Sequence, residues 1–143
     1  MDQHLPRTKA TRPLVLIVNG HDDGLALYCV ALTGMGFDVL FAVDGDEGYV
    51  RACERHPDII VAGLPMRHCD GSEFLERLKD DARTRNVPIV VLGGGVQQQV
   101  RERAERYGVT AFLATPCPPY ELAASLRRLF DQKQRSRIVT SAE

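Results

Sequence analysis

The chain has 143 residues, enough for one domain with a sizeable core. Hydrophobic residues make up 44% and charged residues 26%, with a formal net charge of −1, so no bulk charge draws it to nucleic acid or to an anionic lipid surface. Its apolar runs are far too short to cross a bilayer, and no secretory signal is visible.

The elements are read in chain order. Residues 1–12 are polar and irregular, and are expected as a disordered lead-in. Leu14 to Val18 is an apolar, β-branched-rich strand of the buried kind. After Asn19-Gly20-His21, Asp22 or Asp23 is expected to cap a helix. In that helix Leu25, Tyr28, Cys29, Leu32 and Met35 recur at helical spacing, with Gly36 as its C-terminal cap. Phe37 to Ala42 is a second strand, and Asp44-Gly45 a turn. A helix from Asp46 to Arg55 buries Tyr49, Ala52 and Cys53, and His56-Pro57 ends it.

Ile59 to Ala62 is a continuous apolar run, as in a strand covered on both faces, and it ends on Gly63. Asp70-Gly71 reads as a cap and turn before a helix through Phe74, Leu75 and Leu78. Strand four is expected over Ile89 to Leu92, with Gly93-Gly94-Gly95 as the loop behind it. Val96, Val100, Ala104 and Tyr107 mark a fourth helix, capped near Gly108. Ala111 to Ala114 is the fifth strand, and Thr115-Pro116 turns the chain into a last helix through Leu122, Leu126, Leu129 and Phe130. The polar tail with Lys133, Arg135 and Arg137 is expected to fray, which bounds the domain at 13–132 and leaves 133–143 as a tail. Strand and helix alternate five times. This predicts an α/β fold with one parallel sheet and helices on both faces.

The four cysteines, Cys29, Cys53, Cys69 and Cys117, show no close metal-ligand pairing. They are expected as reduced thiols of a cytoplasmic protein. His21, His68, Cys69 and Cys117 come from separate loops without ligand spacing, so no metal is assigned.

The stretch Pro57 to Gly71 resembles the middle of a bacterial response-regulator receiver domain. Pro57, Asp58, Leu64, Met66, Asp70 and Gly71 match that family's pattern. The resemblance covers about residues 14–130. It implies a flavodoxin-like doubly wound sheet of order 2-1-3-4-5 in a (βα)5 chain. It leaves no segment over for an output domain.

Receivers take a phosphoryl group from a histidine kinase onto an aspartate. That chemistry needs a carboxylate nucleophile, acidic residues for Mg²⁺, a hydroxyl, and a lysine for the phosphoryl oxygens. Mapped through the resemblance, the acidic pair after strand one is Asn19 and Gly20, and the acceptor position is Gly63. The hydroxyl position is Gly93, and the lysine position is Thr115, with Pro116 kept. The aromatic position that switches in the family is Phe112. The polar functions are missing together, in register, from a preserved framework. The resemblance therefore implies a pseudo-receiver: no enzyme, no catalytic residue, no cofactor, acting by protein–protein contact in a two-component or phosphorelay pathway.

Two other readings stay open. A small-ligand sensor would use Gly93-Gly94-Gly95, whose backbone N–H groups suit an anion or nucleotide before a helix, although the motif lacks a P-loop's Lys and Ser/Thr. An unorthodox phosphoacceptor would use Asp22, Asp23 or Asp70. These are also explained as caps and solvated neighbours. Family members pair or bind partners through the fourth helix, fifth strand and fifth helix, here Val96 to Phe130. The resemblance thus implies a kinase, another regulator or a second copy on that face. Its arginines and glutamates are equally those of a solvated surface.

Overall fold

In a computed structural model, which describes residues 12–19, 22–64, 71–94, 102, 105–115 and 117–142, each long apolar run becomes a strand. The elements are β1 (Leu14–Val18), α1 (Asp22–Gly34), β2 (Asp38–Ala42), α2 (Gly45–Arg55), β3 (Ile59–Leu64), α3 (Ser72–Asp80), β4 (Ile89–Gly94), β5 (Ala111–Thr115) and α4 (Pro119–Ala142). All pairings are parallel, and the strand order is β2-β1-β3-β4-β5.

Residues alternate between the two faces of each strand. Leu16, Val18, Ile60, Ala62, Ile89 and Val91 turn toward Ala52 of α2 and Phe74, Leu75 and Leu78 of α3. Val15, Ile17, Ile59, Val61, Val90 and Leu92 turn toward Leu32 of α1 and Leu122, Leu126 and Phe130 of α4. Helices on both faces bury the central strands β1, β3 and β4 on both sides, which is why their runs carry no polar residue.

Local chemistry fixes where the helices begin and end. Asp44 caps α2: its carboxylate accepts the Glu47 N–H at 2.8 Å, and Glu47 Oε1 accepts the Val43 N–H at 2.9 Å. That backbone hydrogen bond, reinforced by Arg51, holds the Glu47 carboxyl below its usual range. Helix α1 closes in a Schellman motif, with Gly36 N–H on the Thr33 carbonyl (3.3 Å) and Phe37 N–H on the Leu32 carbonyl (3.0 Å). Gly36 sits at φ +104°, where glycine costs least. Helix α2 ends instead on His56 at φ +52°, with its N–H on the Ala52 carbonyl.

The turn after α3 is tied at Asp81, whose side chain is 14% exposed. Its carboxylate accepts the Tyr49 hydroxyl at 2.5 Å, Arg83 Nη2 at 2.8 Å and the Arg83 backbone N–H at 2.8 Å. The Cys53 thiol lies 3.6 Å away. Arg83, then Tyr49, hold the Asp81 carboxyl far below the usual carboxylate range.

Several expectations are corrected. Arg12 belongs to the domain and not to a disordered lead-in: its Nε meets Asp38 Oδ1 at 2.9 Å, and Nη2 binds the carbonyls of Thr33 (2.6 Å) and Phe37 (2.7 Å). It thus satisfies orphan acceptors at the end of α1. Asp22 and Asp23 lie inside the first turn of α1, not ahead of it. β4 continues through Gly93 and Gly94, because pairing with β3 and β5 carries it there: Gly93 is opposite Leu64 and Ala114, and Gly94 opposite Thr115. The last helix runs to Ala142 instead of giving way to a tail at 133; no glycine or proline follows Pro119, and Lys133 Nζ reaches the Asp58 carbonyl at 3.3 Å. Four helices are described in full. Of the expected fourth helix, Glu102, Glu105 and Arg106 are helical, while Val96, Val100 and Ala104 lie outside the described residues.

The two helix ends make opposite predictions. Gly36→Ala should lower unfolding free energy by about 1 kcal/mol, and His56→Gly should raise it by up to about 1 kcal/mol. Urea midpoints at unchanged m-value report both; a neutral Gly36→Ala would contradict the cap. Asp81 supplies a pH test. Its folded value is depressed, so its contribution is full above about pH 4, where unfolded aspartate is ionised, and is lost as pH falls toward the folded value. Asp81→Asn should therefore lower Tm at neutral pH and flatten the acid limb of the stability profile. Equal acid sensitivity in the two chains would count against this tie.

Candidate functional site

A sheet buried on both faces can present chemistry only beyond its strand ends, and in a parallel α/β sheet the carboxyl end is the functional one. Here Asn19, Gly63, Gly93 and Gly94 meet at that edge. Asn19 follows β1, and its N–H binds the Ala42 carbonyl at 3.0 Å, so it sits in line with the sheet. β1 and β3 are neighbours, which brings Gly63 beside it: a Cβ placed on Gly63 would stand 3.3 Å from Asn19 Cγ and 3.5 Å from its Oδ1. Gly63 has no positive φ and is half-buried. The backbone does not require a glycine there, and a side chain would need the Asn19 amide to move by a few tenths of an ångström.

Gly93 is different. A Cβ there would stand 2.8 Å from Phe112 Cζ. The ring of Phe112 occupies the space that a side chain at 93 would enter. Gly71 is different again: it holds φ +93° at the start of α3, and a Cβ would fall 2.1 Å from Leu64 Cδ2. It positions α3 against the end of β3 without any side-chain cap bond.

The positions read from the sequence thus separate. Asn19, Gly63, Gly93 and Thr115 follow one another across the carboxyl edge on β1, β3, β4 and β5, with Phe112 behind Gly93. Gly93 and Gly94 are strand residues paired on β4 and not the loop residues expected. Gly95, Gly20, Pro116, Asp70, His21, His68 and Cys69 lie outside the described residues. Among the described residues, no group of three or more His, Cys, Asp or Glu side chains is placed to hold a metal ion.

Among the described residues, the edge offers little to Mg²⁺. That ion wants several oxygen ligands in near-octahedral geometry, usually including carboxylates. Asn19 offers one neutral amide oxygen, and Gly63 offers no side chain.

One contact was missed in the sequence. The Tyr28 hydroxyl of α1 donates to the Cys117 carbonyl at 2.6 Å, fixing the segment that follows β5. A tyrosine on a core stripe needs a partner for its polar tip, and that was the available signal. Burial, then the nearby Cys117 thiol, push the Tyr28 hydroxyl up. Burial likewise pushes the Cys29 and Cys117 thiols up. Both are free, as is Cys53, and neither Cys29 nor Cys117 is an activated nucleophile.

An open cleft of about 380 Å³ lies between α2 and α3, lined by Tyr49, Arg77, Asp80, Asp81 and Ala82. Arg77 stacks 4.2 Å from the Tyr49 ring centroid and pairs with Asp46 at 2.8 Å. This cleft sits over the Asp81 tie, at the far end of α3 from the glycine edge.

Comparison with known proteins agrees with this geometry. Residues 15–127 match the family model described as the response regulator receiver domain. The chain is 30% identical over 123 residues to the DNA-binding dual master transcriptional regulator RpaA of Synechocystis sp., covering 86% of this chain and 51% of that protein. It is 33% identical over 135 residues to the transcriptional regulatory protein PrrA of Mycobacterium bovis, covering 94% of this chain and 56% of that protein. The chain spans about half the length of these curated relatives. A CheY-like receiver domain protein from Methanospirillum hungatei superposes with a TM-score of 0.81 at 17% identity, over 88% of this chain and 99% of that one. The sheet order, the doubly covered strands and a family match over most of the length agree: the chain belongs to the response regulator receiver domain family.

Proposed function

We propose that this receiver signals by binding a protein partner in a two-component pathway and does not pass through an aspartyl phosphate. The observation that carries the reading is Gly63. It is the last residue but one of β3 at the carboxyl edge, where the family's acceptor belongs, and a Cβ there would stand 3.3 Å from Asn19 Cγ. A glycine forms no acyl phosphate, and a neighbouring amide does not replace the acidic pair that would hold Mg²⁺.

The arrangement around Gly93 supports the same reading. With no side chain at 93, nothing contests the space that the Phe112 ring fills. The ring at the position that switches in the family fills the space a side chain at 93 would enter, which suits a receiver that presents a fixed surface. The partner is a kinase or another regulator in the cytoplasm, and it would bind where β5 and α4 reach the surface. Tyr120 is 64% exposed on α4, and the Tyr28 bond to Cys117 holds the intervening segment in position. No helix of the described residues is long and apolar enough to cross a membrane.

Two measurements test this. Intact-mass spectrometry after acetyl phosphate with Mg²⁺ should show the unmodified chain. A phosphoryl adduct mapped to Asp22, Asp23 or Asp70 would replace the proposal with an unorthodox acceptor. The two edge glycines should also respond differently. Gly63→Ala should change stability by no more than about 0.5 kcal/mol, whereas Gly93→Ala must displace the Phe112 ring and should cost about 1–3 kcal/mol. If Gly63→Ala proved the more damaging, Gly63 would be a packing glycine rather than a vacated acceptor position.

A further inference from the structure

An open sheet ends in two strands that each pair on one side only, and here these are β2 and β5. Alternate residues of a strand send their N–H and C=O to opposite edges. In β2 the Asp38 N–H binds the Pro13 carbonyl at 2.9 Å, and the Ala42 carbonyl accepts the Asn19 N–H at 3.0 Å. Asp38, Leu40 and Ala42 therefore face β1, and Val39 and Phe41 face outward. The same edge is closed from within at both ends. The Phe37 N–H is on the Leu32 carbonyl, and the Phe37 carbonyl accepts Arg12 Nη2 at 2.7 Å. The Val43 N–H is on Glu47 Oε1 at 2.9 Å. Between these closures, the N–H and C=O of Val39 and of Phe41 have no partner among the described residues. Natural edges are commonly blunted by a lysine, a proline or a bulge. Val39 to Phe41 carries none of these, its register with β1 is unbroken, and Phe41 is 51% exposed.

The open stretch matches itself. A two-fold axis through Leu40, normal to the sheet, runs two β2 strands antiparallel and sets Val39 of each copy opposite Phe41 of the other. Outward-facing residues opposed in this way exchange both of their hydrogen bonds. All four open groups of each copy are then satisfied. An axis at Val39 would instead set Phe41 against Phe37, whose groups are already bonded. An axis between two residues would oppose outward groups to inward ones. Val39 and Phe41 share a face of the strand, so each exposed ring lies beside a β-branched neighbour, while Leu40 meets Leu40 on the other face. Residue i meets j and j meets i, as an isologous contact requires.

Charge selects the same arrangement. The amino end of β2 carries Arg12, paired with Asp38, and Arg127, whose guanidinium lies 4.7 Å from the Phe37 ring centroid. The carboxyl end carries Asp44, Asp46 and Glu47, with Arg51 on Glu47 and Arg77 on Asp46. The first group is net positive and the second net negative. Antiparallel pairing brings Phe37 opposite Val43 of the other copy. Arg12, held on the Phe37 carbonyl, then comes to the side of Glu47, held on the Val43 N–H, and this happens twice about the axis. Parallel pairing would set like beside like.

From this we infer that β2 is a homodimer edge: two copies of this chain join antiparallel through Val39 and Phe41, about an axis at Leu40, into one continuous sheet. The contact lies at the edge opposite β5. It leaves the surface assigned to a signalling partner open, and it stands whether or not that assignment does.

Sedimentation velocity over a wide concentration range, with amide hydrogen exchange at both ends of that range, tests the contact. The wild-type chain should pass from the mass of one chain toward that of two as concentration rises. The Val39 and Phe41 amides should exchange about tenfold more slowly in the dimer, while the Leu40 amide, turned toward β1, is protected throughout. Phe41→Lys blunts the edge at an exposed position where the monomer tolerates it, and it should weaken association about tenfold or more. A wild-type chain that stays monomeric throughout would overturn the inference. So would a dimer whose Val39 and Phe41 amides exchange as in the monomer, or one that Phe41→Lys leaves unchanged, since the copies would then meet on another face.

Discussion

The strand pair β1 and β3 is the constraint on which the other elements depend. Asp58 locks its start: the Leu14 N–H binds Asp58 Oδ2 at 2.8 Å, the Asp58 N–H binds the Leu14 carbonyl at 2.8 Å, and Lys133 of α4 reaches the Asp58 carbonyl. Val15 to Val18 and Ile59 to Ala62 are then wholly buried between two helical layers. In that position a polar side chain would lose its water without gaining a partner, at a cost no single packing contact recovers. Every polar function is therefore displaced to the last residues of each strand and those just beyond it. A receiver has only those positions in which to be a receiver. In this chain Asn19 follows β1, and Gly63, Gly93 and Thr115 lie within the last two residues of β3, β4 and β5.

The glycines differ in what the surrounding structure asks of them. Gly71 and Gly48 are demanded by the fold. Gly71 combines φ +93° with a Leu64 side chain in its Cβ position, and a Cβ on Gly48 would lie 2.7 Å from Val18 Cγ2 and 3.1 Å from Phe74 Cε1. Gly93 has been closed from the other side, by an aromatic ring that has taken the space. Gly63 is neither demanded nor closed. A glycine at a position whose backbone any residue could adopt costs entropy on folding. That contrast ties the proposed function to Gly63 more firmly than the count of missing polar residues does.

The periodicities that carry the fold were legible because burial on two faces leaves a blunt signal. The apolar runs Leu14–Val18, Ile59–Ala62 and Ile89–Leu92 name the sheet, and the helical stripes between them name the layers. The glycine cap at Gly36 was legible too, since few other residues hold its φ. What the one-dimensional pattern could not carry were contacts whose partners are far apart in sequence. Arg12 is attached to the domain by acceptors 21 to 26 residues away. The Tyr28 hydroxyl finds its partner 89 residues on. Gly93-Gly94 read as loop because glycine is a poor strand former by itself, yet pairing on both sides overrides that preference. The end of α4 was misplaced for a related reason: a polar run reads as a tail unless something, here Lys133 on Asp58, holds it.

Helix α1 was legible only by half. Leu25, Tyr28, Cys29, Leu32 and Met35 form a convincing inward stripe, and once a stripe is found the remaining residues are assumed to be solvated. Met35 is in fact 44% exposed, while Leu27 and Val30, off the stripe, are more exposed still. A pattern search asks which apolar residues repeat at helical spacing. The more informative question for α1 is why the residues between them are not charged. In α2 the intervening positions are filled by Asp46, Glu47, Arg51 and Glu54, and in α3 by Glu73, Glu76, Arg77 and Lys79, as solvent requires of a helix with one buried side. In α1 the same positions are Ala26, Leu27, Val30, Ala31 and Gly34. Nothing in the packing of this domain asks for that choice, because none of those side chains is needed to fill the core. The apolar outer side of α1 is therefore a property of its surface that the inward stripe does not account for.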